Sequence, residues 1–196
     1  YLLFLNNDVE IITENWLEEM LQLCQQKDVG MVGAKLYYPD DTIQHAGVVV
    51  GLGGVAAHVL CKLPRDAEGY MGRLRCVQEI SAVTAACMMV KTSVFKAVGG
   101  FDEELKVAFN DIDLCMKVRK YGVKIVFTPY AELYHYESKS RGMEDTPEKQ
   151  LRFSREVNCF RRKWERELLK GDPYYNPNLT LNNTDCSLRK QEKNGD

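Results

Sequence analysis

The sequence predicts an α/β fold. Short apolar runs alternate along the chain with segments whose apolar residues recur at helical spacing, and that order argues for helices layered on a sheet. The junctions carry matching signals: Asn110 before one helical segment and Gly122 after it, and Thr146-Pro147 before another. With 196 residues, 45% of them hydrophobic and 28% charged, the chain is long enough for one domain with a sizeable core.

The elements follow in order. "YLLFLNND" opens without methionine inside an apolar run, so residues 1–6 read as a strand of a parallel sheet covered on both faces. A chain that opens this way is expected to be a fragment, or to begin inside a longer protein whose preceding segment pairs with this strand. Thr13 is the expected cap of a helix running to about Gln26, with Leu17, Met20, Leu21 and Cys24 on its apolar face. Residues 29–38 form a second strand, ended by the turn "PDDT". Residues 43–51 form a third, followed by the Gly-rich "GLGG", and residues 61–75 read as an irregular, mobile loop. "AACMMVK" (85–91) is apolar enough for another buried strand, after which Thr92 caps a short helix stopping at Gly99-Gly100.

Asn110 caps a helix to Tyr121. "VKIVFTP" and "AELYHYE" read as two further strands. Pro147 opens a long helix reaching about Leu169, with Phe153, Val157, Phe160, Trp164 and Leu168 as its apolar stripe and seven Arg or Lys residues between 152 and 170. Beyond Gly171 the chain is polar and rich in Pro and Asn, and its last ten residues read as disordered. No internal repeat is visible.

Composition narrows the function. A formal net charge of -2 gives no whole-chain attraction to nucleic acid. No apolar run has the length of a membrane span, and no signal peptide is visible. Seven scattered cysteines without a C-x-x-C pair read as reduced thiols in a cytosolic compartment. "GLGG" lacks the order of a phosphate loop.

Three segments could carry chemistry. In "LNND", Asp8 lies just beyond a strand end, where open α/β sheets bind ligands, and one carboxylate there can hold a divalent cation that also grips phosphates. The alternative is a plain turn. In "NDIDLC", Asp111 and Asp113 lie about 200° apart around a helix, so they cannot serve one centre equally. Either Asp111 is a base and Asp113 its helix-anchored support, or both acids only complement a helix N-terminus. His135 ends a strand beside Ser138, Ser140 and Arg141, where it either completes a metal and phosphate site or is a satisfied loop residue. His45 and His58 read as packing or surface residues. The basic helix 147–169 reads as a solvated face with an inner stripe, or as a surface for acidic lipid headgroups or a diphosphate acceptor.

Taken in order, "LLFLNND", "AGVVVG", "AVTAACMMVKTSVF", "AVGGFDEEL", "FNDIDLCMKVRKYG", "HYESKSRG" and the tail "GDPYYNPNLTL" resemble the second half of a family 2 glycosyltransferase of the GT-A fold. The likeness covers about residues 1–181 and points to the bacterial rhamnosyltransferase-like branch that builds surface polysaccharides. The resemblance implies a partial, Rossmann-like GT-A fold lacking its N-terminal nucleoside-binding half. It divides the chain into a catalytic half (1–146), an amphipathic basic helix (147–170) and an extended, partly disordered tail (171–196).

It also implies roles. The family's D-x-D element falls on Asn6-Asn7-Asp8, so Asp8 carries the metal contact, with His135 as second ligand and Mg²⁺ or Mn²⁺ as cofactor. Asp111 falls on the catalytic base. Ser138 and Arg141 fall near the donor diphosphate, and Thr84 and Ala85, with Asp113, on the acceptor side. The implied partners are a nucleotide-diphosphate sugar, a glycan or polyprenyl-linked acceptor and the missing N-terminal half, at a cytoplasmic location that includes peripheral contact with the inner membrane face. Two other classes compete: a metal-dependent nucleotide-sugar phosphohydrolase, and a non-catalytic glycan-binding or scaffold module.

Overall fold

The structure, a computed structural model, describes residues 1–137 and 146–190. Its first half runs β1 (Leu2–Leu5), β2 (Val9–Ile11), α1 (Trp16–Cys24), β3 (Val29–Tyr37), β4 (Ile43–His45), β5 (Val48–Val50) and β6 (Ala56–His58). Its second half runs β7 (Gln78–Glu79), β8 (Cys87–Val90), α2 (Thr92–Ala97), α3 (Asn110–Tyr121), β9 (Lys124–His135) and α4 (Pro147–Lys170).

One mixed sheet of seven strands organises the molecule, in the order β1-β8-β3-β9-β2, with β4 also on β3 and β7 also on β9. β3 and β9 are parallel and form its spine, while β8 and β4 flank β3 antiparallel. All nine residues of β3 are buried, because helices cover both faces. Met31, Met88, Val90, Ile125 and Phe127 face one core, with Ile112, Leu114, Phe160 and Trp164 from α3 and α4. Val32, Leu36, Cys87, Met89 and Val126 face the other, against Trp16, Met20 and Cys24 of α1. The period-two split of neighbouring residues between two cores is what a doubly covered strand requires. Gly33 allows a close approach: a methyl there would lie 2.3 Å from Val83 Cγ1. The segment leading to Thr84 and Ala85 is thereby seated on the sheet.

Several expectations need correction. β1 is not buried on both faces. Within the described residues it pairs only with β8, antiparallel, and Leu3 and Leu5 are 37% and 41% exposed. Only Leu2 and Phe4 pack inward, with Phe4 against Phe95 and Phe101 at ring distances of 5.4 and 5.0 Å. Thr13 does not cap α1, because its hydroxyl accepts from the Glu132 amide (3.2 Å) and so ties the loop to β9. Asn15 is the residue before the helix. Thr92 and Asn110 are first helical residues rather than caps.

Residues 43–51 split into β4 and β5 at Ala46-Gly47, with Gly47 at φ 102°. The loop 61–75 contains a 3-10 segment, Tyr70–Arg75. "VKIVFTP" and "AELYHYE" are one strand, β9, whose register with β3 shifts between Gly33 and Lys35, absorbing Pro129. α4 starts as expected, with the Thr146 hydroxyl accepting from the Lys149 amide. Only Phe160 and Trp164 of its stripe are fully buried, and Phe153 is 41% exposed. All seven cysteines are unpaired. The segment after α4 returns over the body, where Asp172 accepts from the Val50 amide (2.8 Å) and Thr184 from the Leu60 amide (2.6 Å).

Candidate functional site

Asp8 follows β1, His135 ends β9, and Asp111 sits in the first turn of α3. The sheet order brings these three separated positions to one cleft of about 670 Å³, also lined by Asn6, Asn7, Thr84, Ala85, His58 and Glu137. The pairing of β2 with β9 sets one wall. Val9 lies opposite His135, and the Tyr136 amide donates to the Asp8 carbonyl (2.8 Å). The end of β1 sets the next, through the Asn6 amide on the Ala86 carbonyl (3.0 Å). Ala85 then donates its amide to Asp111 Oδ2 (3.1 Å). Backbone hydrogen bonds therefore run from the Asp8 segment to the carboxylate of Asp111.

The His135 ring is fixed by its neighbours. Gln44 Nε2 donates to the His135 carbonyl (3.2 Å) and faces Glu137 Oε2 (3.4 Å), which orients the amide so that Gln44 Oε1 accepts from His135 Nδ1 (2.7 Å). His135 Nε2 is left as a lone pair that accepts from Asn6 Nδ2 (3.0 Å) and stands 3.3 Å from Asp8 Oδ1. A lone pair beside a carboxylate is the donor pair a divalent cation uses, and an outer partner on the far ring nitrogen is the usual support for a ligating histidine. The described lining residues include three carboxylates, of Asp8, Asp111 and Glu137, and no Lys or Arg. A diphosphate entering such a cleft needs a cation to offset the repulsion. These residues fit a metal held by two protein groups, the remaining ligands coming from phosphate and water. Among the described residues no group of three or more His, Cys, Asp or Glu is arranged around one metal position.

Asp111 is set up differently. Its Oδ1 accepts from the Ile112 amide (2.8 Å) and its Oδ2 from Ala85, so each oxygen keeps one lone pair for the cleft. Asp113 does not reach the cleft and corrects the expectation of an acceptor contact. It is fully buried, takes a hydrogen bond from Trp164 Nε1 (2.8 Å), and pairs with Lys117 (2.9 Å) and Lys163 (2.7 Å). The half-turn between the two acids points it at α4. Ser138 and Arg141 lie outside the described residues.

His58 lines the cleft as well, which the sequence did not suggest. Its Nδ1 lies 3.0 Å from the Gln44 carbonyl, which can only accept, so Nδ1 carries the proton. His45 Nδ1, 3.1 Å away, then accepts from the same N–H. Burial lowers the pKa of both rings, for His45 well below its ordinary value, while the Asp111 charge partly counters the shift at His58. Gln44 thus fixes the tautomers of His135 and His58, through its side chain and its carbonyl respectively.

Residues 1–156 match the model of a family described as "Glycosyltransferase like family". The chain belongs to that family. It is 58% identical over 184 residues to "Uncharacterized protein y4gI" of Sinorhizobium fredii, a match covering 93% of this chain and 20% of that protein. It is 40% identical over 196 residues to O-antigen biosynthesis protein RfbC of Myxococcus xanthus, covering 100% of this chain and 15% of the relative. Over 62 residues it is 36% identical to an N-acetylglucosaminyl-diphospho-decaprenol L-rhamnosyltransferase of Mycobacterium tuberculosis, covering 32% of this chain and 20% of that enzyme. The matched segments thus span a fifth or less of the length of these relatives. The mixed α/β sheet with its covering helices is the architecture expected of a Rossmann-like glycosyltransferase.

Proposed function

We propose that this chain is the catalytic part of an inverting glycosyltransferase of the GT-A type, acting in bacterial surface-polysaccharide synthesis. The observation that carries the reading is the convergence of Asp8, His135 and Asp111 on one cleft. The donor is a nucleotide-diphosphate sugar, and the rhamnosyltransferase relative favours rhamnose. The acceptor is a glycan or a lipid-linked sugar. Segments outside these 196 residues complete the nucleoside pocket. No helix among the described residues is long and apolar enough to cross a membrane. A cytoplasmic setting with peripheral membrane contact fits a lipid-linked acceptor.

In this reading Asp8 and His135 hold Mg²⁺ or Mn²⁺, which when bound neutralises the charge that develops on the departing diphosphate. Asn6, whose side-chain amide donates to His135 Nε2 in this structure, would release that lone pair to the ion. Asp111 takes the proton from an acceptor hydroxyl as that oxygen bonds to C1 of the sugar. The C1–O bond to phosphate breaks on the opposite side, and its electron pair leaves with the nucleoside diphosphate. Thr84 and Ala85 line the acceptor side, and the Ala85 amide fixes the carboxylate that receives the proton.

The test is transfer by the full-length protein, assayed with thymidine-diphosphate rhamnose beside a panel of uridine-diphosphate hexoses. Asp111→Asn is expected to lower turnover by at least about 10²-fold, the usual contribution of a general base. Wild-type turnover in that variant would end the proposal.

A further inference from the structure

A second buried carboxylate acts on the cleft from behind its wall. Glu156 of α4 is 3% exposed. Its Oε1 accepts from the backbone amides of Lys106 (3.1 Å) and Val107 (3.2 Å), and its Oε2 from that of Ala108 (2.8 Å). Arg152, one helical turn away, stands 3.9 Å from the same carboxylate. Three successive amides gathered on one acid fix the backbone of that loop. Burial of a charge is costly unless it is compensated in this way.

The loop so held is part of the cleft. Val107, Ala108 and Phe109 line it. Phe109 takes the left-handed conformation at φ 62°, uncommon for a residue with a bulky side chain, and its ring rests on Phe153 and Phe160 at 5.8 and 5.4 Å. Its carbonyl then accepts from the Asp113 amide (2.8 Å), closing the first turn of the helix that carries Asp111. Trp164 and Lys163, also on α4, hold the Asp113 side chain. α4 therefore grips the backbone just before Asp111 and the side chain just after it.

We propose that Glu156 is a positioning residue for the base. By collecting the amides of 106–108 it sets the entry angle of α3 and so the direction in which the Asp111 carboxylate faces the acceptor. This inference rests on the reading of Asp111 as the base. Glu156 is not among the described residues that line the cleft, so its loss falls on turnover rather than on donor affinity.

The experiment compares Glu156→Gln, Glu156→Asp and Leu168→Ala in the full-length protein. It measures turnover, donor KM, melting temperature and amide hydrogen exchange. Gln replaces one acceptor oxygen with a donor, and Asp keeps the buried charge but withdraws it by one methylene. In both, the amides of 106–108 are expected to exchange at least about tenfold faster. Turnover should fall at least about tenfold with donor KM within about twofold, since small misplacements of reacting groups carry penalties of that order. Leu168→Ala loosens the packing of α4 without touching the loop and is expected to lower the melting temperature alone. Turnover within about twofold of wild type in both Glu156 variants would overturn the proposal. So would an equal turnover loss in Leu168→Ala. Asp111→Asn separates the two claims: if that variant is dead while the Glu156 variants are fully active, only the positioning role fails.

Discussion

At the scale of single residues, the cleft depends on histidines whose tautomers are set by their partners, the Gln44 side chain for His135 and the Gln44 carbonyl for His58. His45 is fully buried, its Nε2 has no hydrogen-bond partner among the described residues, and burial holds its pKa well below the ordinary 6.5. The unfolded chain therefore binds a proton first as pH falls. The contribution to stability is complete above about pH 6.5 and is lost as pH drops below that value. Urea unfolding at pH 7.5 and 5.5 should show this decline, and it should shrink in a His45→Gln variant. Gln44→Leu removes the partner of His135 Nδ1 and should weaken Mn²⁺ binding by about 10–100-fold, read by titration calorimetry. Asp8, Asp111 and His135 were legible in the sequence as candidates at a strand end or helix start, each with a plain structural alternative, and the family resemblance weighted them toward function. Gln44, His58 and Glu137 were not. Gln44 meets His135 and Glu137 through hydrogen bonds between residues about ninety apart, which no local pattern encodes, and His58 reaches the cleft beside Gln44 and His45.

At the scale of elements, α4 does more than the apolar stripe in its sequence suggests. Phe160 is fully buried where α4 meets the common core and stacks on Phe109. Phe160→Ala should cost about 3–5 kcal/mol, measured by denaturant unfolding. Leu151→Ala, exposed on the same helix, should cost little. The helices were read with good bounds because helical spacing, Gly122 and Thr146-Pro147 are local signals. The strands were read less well, for physical reasons. A continuous apolar run looks alike whether one face or both are covered, and within the described residues Leu3 and Leu5 of β1 are exposed. Pro129 looked like a break, yet the register shift of β9 against β3 accommodates it. The capping roles read for Thr13, Thr92 and Asn110 failed because tertiary hydrogen bonds and neighbouring residues took over those positions.

At the scale of the whole molecule, the sheet gathers an acid after β1, a histidine at the end of β9 and an acid opening α3 around one volume. The division of labour proposed here needs that geometry: one side for the cation and diphosphate, the other for the acceptor proton. The relatives are five or more times longer than the matched segment, so the reaction is best tested in the full-length protein. The most direct measurement is anomalous diffraction from crystals of that protein with Mn²⁺ and a non-hydrolysable nucleotide sugar. The account predicts a manganese peak bound by Asp8 and His135 Nε2, with the sugar C1 between that peak and the Asp111 carboxylate. A metal peak held by other residues, or a sugar bound where Asp111 cannot approach C1 from the side opposite the phosphate, would contradict it.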